Sequence, residues 1–252
     1  MKIINNILLR NIRQIITKIV LKDNIYPSNI NLAANYIYTQ DIEGDYLEFG
    51  CFRGESFIDA YLNINKAEKY WLSDKRKKKA FTNNLHNLDF YNKNYNRKFL
   101  GFDSFSGLPK PSHIDKDHHL FKEGRYDCSK EEFIKIIKDA QVDINRVQLI
   151  EGFYKDTLSD QLKLSLKIKK AAIIMIDCDF YDSTTKVLEF IVDLLQNGTL
   201  IIFDDWFNYK SDPNKGEQRA CKEWLKNNEN IKLIEYGNNL LTQKMFIVNL
   251  IK

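Results

Sequence analysis

The chain of 252 residues predicts a doubly wound α/β domain: a mostly parallel sheet, helices on both faces, and an antiparallel pair at the C-terminal edge. Three features point there. Short apolar runs alternate with stretches of helical spacing from residue 45 to the C-terminus. The first run stops at a glycine turn that leads directly into a helix, as the opening of a βαβ unit does. The polar clusters fall at the ends of the apolar runs, where ligands of open α/β sheets sit. Composition agrees: 44% hydrophobic and 29% charged residues exclude a disordered or collagen-like chain. Only 4 Pro and 10 Gly interrupt it, so regular structure should dominate. The net charge of +4, from 38 basic and 34 acidic residues, is too small to imply a nucleic-acid partner.

Residues 1–40 precede the first strand and read as helical, with Ile and Leu on one face. Asn5, Asn6, Arg10 and Arg13 break the apolar stretch and no small-residue cleavage site follows, so the segment reads better as an amphipathic helix than as a signal peptide. An apolar stripe must be covered, so the segment is expected at or near the interface of a homodimer or larger assembly. The division is then 1–40, a helical segment, and 41–252, the sheet domain. DYLEFG (45–50) is the first strand and ESFIDAYLNI (55–64) its helix. Residues 66–97 are basic and aromatic, with Lys75 to Lys79 unbroken, and read as one or two extra helices. RKFLGFDSF (97–105) is the second strand, and the turn-rich SGLPKPSHIDKDHHLFKEGRYD after it a cover loop. KEEFIKIIKDA (130–140) is a helix capped by Ser129. RVQLIEGF (146–153) is the third strand; KAAIIMIDCDF (170–180), the fourth, is so apolar that both faces must be buried. STTKVLEFIVDLLQNG (183–198) is a helix from a Ser183 cap to a Gly198 stop, followed by the strand TLIIFDD (199–205) and the helix KGEQRACKEWLKN. IKLIEY and KMFIVNLI close the chain as a hairpin around Gly237.

Four cysteines, Cys51, Cys128, Cys178 and Cys221, show no CxxC pair or metal-finger spacing, which suits reduced thiols in a cytoplasmic protein. No run of 18 apolar residues exists, so no membrane span is expected.

The turn EFGCFRGES (48–56) lets a ligand approach the backbone, and Glu48 before it favours a cationic group such as a sulfonium or an amine. It is not GxGxxG, which argues against a dinucleotide; a purely structural turn is the alternative. Asp103 ends the second strand, where an acid commonly accepts from both ribose hydroxyls; a capping role is the other reading. The basic insert stretches the usual gap of about 20 residues considerably. Asp177 and Asp179 end one strand, and Asp204 and Asp205 the next. Four carboxylates so placed repel one another unless a cation sits among them, and oxygen-only ligands suit magnesium, calcium or manganese. A cation of this kind lowers the pKa of a hydroxyl, and a nearby carboxylate can take the proton.

EFGCFRGES, GFDSFSGLP, LIEGFYKDTL, IDCDFYDST and IIFDDW, in this order, resemble the macrocin O-methyltransferase family. The resemblance covers roughly residues 45–225. It implies a seven-stranded Rossmann-like class I methyltransferase sheet, S-adenosylmethionine as methyl donor, a bound Mg2+ (or Mn2+), and a sugar hydroxyl as acceptor. Glu48, Gly50 and Ser56 then resemble contacts to the methionine end, Asp103 and Ser104 contacts to the ribose, and Gly152 with Phe153 the adenine flank. Asp177, Asp204 and Asp205 resemble the metal ligands and Asp179 the general base. The chain's wealth of Lys, Asn and Ile suggests AT-rich bacterial coding, which moves the expected acceptor towards a surface-polysaccharide sugar, nucleotide-linked or as a glycoside.

Asp-Cys-Asp also resembles the DxD motif of metal-dependent glycosyltransferases, but that motif leaves the EFG turn and the later FDD unexplained. A non-catalytic Rossmann-type binding module would have no need of four clustered acids. On the cover loop, His113, Asp115, Asp117, His118 and His119 resemble a second metal site, though a solvated stretch is the simpler expectation. Trp206, Phe207 and Tyr209 follow the acids and are candidates for stacking on a sugar ring.

Overall fold

The computed structural model describes residues 28–73 and 95–251. Helix α1 (Asn29–Thr39) opens it, followed by β1 (Asp45–Phe49), α2 (Glu55–Trp71), β2 (Phe99–Asp103), α3 (Lys130–Asp139) and β3 (Val147–Glu151). Two short helices, α4 (Tyr154–Thr157) and α5 (Asp160–Leu166), lead to β4 (Ala171–Ile176). Then come α6 (Tyr181–Ile191), β5 (Leu200–Phe203), α7 (Gly216–Asn227), β6 (Ile231–Glu235) and β7 (Lys244–Leu250). The seven strands form one sheet in the order β3-β2-β1-β4-β5-β7-β6. Every pairing is parallel except the two made by β7. The chain runs outward from β1 in one direction to β3, then returns to β4 on the other side. That reversal opens a crevice between β1 and β4 at their carboxyl ends.

Alternation along the strands builds two cores. Ile173 and Met175 of β4 face one side, with Ala33, Ile37 and Tyr38 of α1, Phe57 and Ala60 of α2, and Phe133 and Ile137 of α3. Ile174 and Ile176 face the other, with Val187, Leu188 and Ile191 of α6 and Ala220, Cys221 and Trp224 of α7. All six residues of β4 are buried, as its unbroken apolar run requires. A fully buried aromatic such as Phe133 contributes about 1.5–3 kcal/mol through area alone, so these two layers supply most of the stabilisation.

Register then places the functional ends. Phe49, Phe102, Ile176 and Phe203 lie abreast across the four central strands. The residues that follow them, Gly50, Asp103, Asp177 and Asp204, therefore emerge side by side. Gly50 N–H donates to Phe102, Asp177 N–H to Phe49 and Asp204 N–H to Ile176 carbonyls, at 2.8–2.9 Å.

Some local expectations change. Helix α2 continues to Trp71 and so absorbs the first residues of the basic insert; Lys75 to Lys79 lie outside the described residues. Helix α1 is part of the first core rather than an appendage, and residues 1–27 lie outside the described residues. Ser129 caps α3 as expected, accepting from Glu132 N–H at 3.1 Å. Ser183 does not cap α6. The helix starts two residues earlier, because the Asp115 carboxylate reaches in from the cover loop and accepts from Tyr181 N–H. Gly198 sits in the turn before β5, after a 3-10 turn at Val192–Leu194 has already ended the helix.

Candidate active site

A cavity of about 850 Å³ lies over the carboxyl ends of β1, β2, β4 and β5. Gly50, Asp103, Gly152, Asp177, Asp179 and Asp205 line it, and residues of the cover loop, among them Leu108, Phe121 and Tyr126, wall it from above.

On the β1 side the turn is shaped by close approach. Gly50 has φ +92°, and a Cβ there would lie 1.6 Å from the Asp177 carbonyl oxygen. Only glycine lets the β1 turn cross the end of β4 in this way. Glu48 is wholly buried, and neither it nor Ser56 lines the cavity. Its carboxylate accepts from the Tyr46 hydroxyl on one oxygen and from Ser56 Oγ, at 2.8 Å, on the other. Burial pushes its carboxyl up to about 8, against the pull of those two bonds. Ser56 thus supports Glu48.

Asp103 lines the cavity and also holds two turns together. One oxygen accepts from the N–H groups of Cys51 at 2.7 Å and Phe52 at 3.1 Å; the other accepts from Phe105 N–H at 2.7 Å. These contacts are those of the capping role, and a carboxylate so bonded still has lone pairs for a further donor. Ser104 Oγ donates to the Gly107 carbonyl and accepts from Ser106 N–H, within its own turn. Gly152 (φ +130°) donates its N–H to the Asp103 carbonyl, and Phe153 beside it lines the cavity and precedes α4.

The acids divide. Asp177, Asp179 and Asp205 each bring one carboxylate oxygen to within 4.8 Å of the other two. Asp204 is outside this trio but lines the same cavity beside it, and Gln243 Nε2 donates to its Oδ1. Asp205 N–H donates to Glu217 Oε2 at 2.9 Å, and Asn208 Nδ2 donates to Asp205 Oδ1. Asp205 Oδ2 and Glu217 Oε1 are buried without a hydrogen-bond partner. Among the described residues, no lysine or arginine forms an ion pair with any of these five acids. Burial first, and mutual repulsion second, raise Asp177, Asp179 and Glu217 well above the usual carboxylate range and Asp205 to about 7. Asp204 is raised by burial and drawn back by the Gln243 bond. Orphaned carboxylate oxygens converging in a buried site, with oxygen donors only, fit a divalent cation of the magnesium or manganese type.

Glu217 and Gln243 were not singled out in the sequence. Glu217 shares the buried face of α7 with Ala220, Cys221 and Trp224, and that periodicity was the available signal. Gln243 comes from the hairpin, and nothing local marks it.

The cover loop departs from expectation. Asp115 is wholly buried, accepting from Tyr181 N–H at 2.6 Å and Gly216 N–H at 3.1 Å, the first residues of α6 and α7. His118 is buried and stacks on Phe121 with ring centroids 3.9 Å apart; burial lowers its pKa to about 4. These two side chains are fastenings of the loop, neither solvated nor grouped as metal ligands among the described residues. Trp206 packs against Phe203 and Phe246 in the second core, so it does not stack in the cavity. Tyr209 lies beneath the loop, its ring against His118.

Comparison with known proteins adds context to this geometry. The family model for macrocin O-methyltransferase (TylF) matches residues 86–232, more than half of the chain. A curated relative, the 8-demethyl-8-(2,3-dimethoxy-alpha-L-rhamnosyl)-tetracenomycin-C 4'-O-methyltransferase of Streptomyces olivaceus, is 24% identical over 187 residues. The match takes in 71% of this chain and 59% of that protein, so the chain spans about three fifths of the relative's length. Among solved structures, the O-methyltransferase NovP superposes with a TM-score of 0.63 at 20% identity, over 87% of this chain and 77% of NovP. The calicheamicin methyltransferase CalS11 gives 0.62 at 19% identity, over 86% and 76%. These similarities show the class I methyltransferase fold.

Proposed function

This chain belongs to the macrocin O-methyltransferase family, and from that membership we propose that it transfers a methyl group from S-adenosylmethionine to a sugar hydroxyl. The observation that carries the reading is the convergence of Asp177, Asp179 and Asp205 in a cavity that Gly50, Asp103 and Gly152 also line. One end takes a nucleoside and the other takes a hydroxyl to be deprotonated. In this reading Glu48, Gly50 and Ser56 form the methionine end: Gly50 lines the cavity, and Glu48, held by Ser56 Oγ, lies buried behind it and shapes the turn. Asp103 and Ser104 take the ribose, and Gly152 and Phe153 flank the adenine.

Asp177, Asp204 and Asp205 would hold a magnesium or manganese ion, which when bound lowers the pKa of the acceptor hydroxyl. Asp179 receives the hydroxyl proton, since it faces the same point as Asp177 and Asp205. The methyl transfer itself asks chiefly for alignment of oxygen, methyl carbon and sulfur, which the cavity walls supply. A second reading is favoured by one observation: Asp179 lies in the convergent group and Asp204 does not. In it Asp179 is a ligand and Asp204 an outer support.

The acceptor we propose is a sugar of a surface-polysaccharide precursor, linked to a nucleotide or carried as a glycoside. The names of the relatives support the sugar: one acts on a rhamnosyl compound, and CalS11 is described in its apo form as a TDP-rhamnose 3'-O-methyltransferase. The four cysteines are free and buried, which fits work in the cytoplasm, where sugar nucleotides are made. No described helix is long and apolar enough to cross a membrane. A homodimer or larger assembly, with the N-terminal segment of residues 1–40 at or near the interface, completes the reading.

Calorimetric titration with S-adenosylmethionine and, separately, with a sugar nucleotide in the presence of manganese tests it. Binding of S-adenosylmethionine supports methyl transfer. Binding of the sugar nucleotide alone, with none of S-adenosylmethionine, would move the protein to the glycosyltransferases. Binding of S-adenosylmethionine with no transfer to any of a broad glycoside panel would leave a binding module.

A further inference from the structure

We propose that Tyr209 is a positioning residue that ties the cover loop to the strand end bearing Asp179, an inference that rests on the role given to Asp179 above. The backbone there is in an uncommon state. Phe180 N–H donates to the Cys178 carbonyl at 2.5 Å, closing a γ-turn with Asp179 at its centre, and Asp179 has φ +61°. A γ-turn with positive φ is rare and strained, so the surroundings must hold it. Tyr209 does so, its hydroxyl donating to the Asp179 carbonyl at 3.1 Å.

Tyr209 is itself held in a special way. Tyr209, Lys210 and Ser211 have φ of +55°, +57° and +60°, three left-handed residues in succession, none of them glycine. Left-handed backbone in L-residues normally occurs one residue at a time. Here Ser211 N–H bonds to the Phe207 and Asn208 carbonyls and Asp212 N–H to the Tyr209 carbonyl, closing the turn. The effect is to send the Tyr209 ring back beneath the cover loop. Its centroid lies 4.6 Å from that of His118 and 5.9 Å from that of Phe121, both loop residues. Gly216 leaves room for the ring, since a Cβ there would fall 2.7 Å from Tyr209 Cε2. One side chain thus touches the loop with its ring and the Asp179 turn with its hydroxyl. Seating of the loop over the acceptor and correct aim of Asp179 become a single event.

The two functions of the side chain can be separated. Tyr209→Phe keeps the ring and removes the hydroxyl; Tyr209→Leu removes both. In Tyr209→Phe, kcat should fall on the order of 10-fold to 100-fold, the scale of a small misplacement of a reacting group, with KM for the acceptor and the affinity for S-adenosylmethionine held. Tyr209→Leu should also raise KM for the acceptor. Hydrogen exchange on the free protein gives a readout that needs no turnover. Tyr209→Phe should speed exchange of the Phe180 amide while the loop amides of residues 112–122 and the Tyr181 amide held by Asp115 stay as in the native protein, and Tyr209→Leu should speed all of them. Native kcat in folded Tyr209→Phe, or unchanged exchange at Phe180, overturns the proposal. A native protein that methylates no sugar while these exchange differences hold would overturn the methyltransferase reading and the catalytic sense of the tie, leaving only the mechanical one.

Discussion

Gln243, in the turn of the β6–β7 hairpin, donates from Nε2 to Asp204 Oδ1 at 2.5 Å, while its own Oε1 accepts from Asn29 Nδ2 of α1 at 3.4 Å. A residue near the C-terminus therefore joins the first described helix to the acid at the end of β5. If Asp204 is a metal ligand, Gln243 sets its orientation. Gln243→Ala should then weaken magnesium binding by roughly 10–100-fold, the usual effect of removing a partner behind a ligand. Calorimetry with magnesium measures this directly. Unchanged affinity would remove Asp204 from the ligand set and give its place to Asp179.

The acid cluster sets an unusual pH dependence in the metal-free protein. Glu48 at about 8, Asp205 at about 7, and Asp177, Asp179 and Glu217 all have carboxyls raised in the folded state. Unfolded carboxyls ionise near 4, so between about 4 and 8 the folded chain binds more protons than the unfolded one. Stability from this source is full below pH ~4 and is lost as pH rises through the folded values. His118 acts in the opposite sense: lowered to about 4, it contributes above pH ~6.5 and is lost on acidification. Five acids outweigh one histidine. Melting in EDTA should show a lower Tm at pH 8 than at pH 5, and magnesium should restore much of the difference at pH 8. A Tm that rises with pH in EDTA would contradict the cluster.

Asp103→Ala should cost both binding and stability. It leaves the N–H groups of Cys51, Phe52 and Phe105 without their acceptor, each loss worth about 1–3 kcal/mol where the group cannot reach water. S-adenosylmethionine affinity should fall by a similar 1–3 kcal/mol if the ribose also bonds here. Asp103→Asn keeps one acceptor and separates the two effects. Full stability with lost affinity in Asp103→Asn assigns the ribose role; lost stability with native affinity assigns only the turn.

Much of this architecture was legible in the sequence because it is written locally. The seven strands follow from apolar runs of a few residues, and the acids at their ends follow from where those runs stop. Asp115 and His118 were misread because their burial depends on partners about 60 to 100 positions away, Tyr181 and Gly216 for the first and Tyr209 for the second. No periodicity of a turn-rich segment reports such contacts. Ser183 failed as a cap for the same reason: the acceptor came from another element. Which three of the four acids converge was equally hidden, as was the Gln243 bond to the fourth, Asp204, which comes from the distant hairpin.

Gly50→Ala offers a clean contrast with Gly124→Ala. Both glycines have positive φ, +92° and +76°. At Gly124 a Cβ meets nothing within 4 Å, so only the backbone cost of about 1–2 kcal/mol applies. At Gly50 the added atom lies 1.6 Å from the Asp177 carbonyl oxygen, and β4 or the turn must move. Gly50→Ala should abolish S-adenosylmethionine and magnesium binding together and lower Tm well beyond Gly124→Ala. Equal melting temperatures for the two variants would refute the crossing of the β1 turn over β4.

Asp115 fastens the cover loop, and its removal should show as loss of protection before loss of fold. The carboxylate satisfies the first N–H of α6 and the first of α7, so one side chain does the work of two caps. Losing a cap costs roughly 0.5–2 kcal/mol, and two together remain a modest fraction of a domain's stability. The loop's other fastenings include the His118 and Phe121 rings against Tyr209, Phe121 against Phe180, Tyr126 against Phe52, the Asp117–Lys215 ion pair at 4.0 Å and the Leu108 pairing with Gly124 and Arg125. Trypsin reads the difference, because Lys116, Lys122 and Arg125 all lie in this stretch. Asp115→Ala should be cut there at least several-fold faster than the native protein while the sheet domain still melts cooperatively. Asp115→Asn keeps an acceptor for one of the two N–H groups and should fall between them. If Asp115→Ala is cut no faster than the native chain, the loop is held by something other than this carboxylate, and the proposed seating of the loop through Tyr209 would have to bear that load alone.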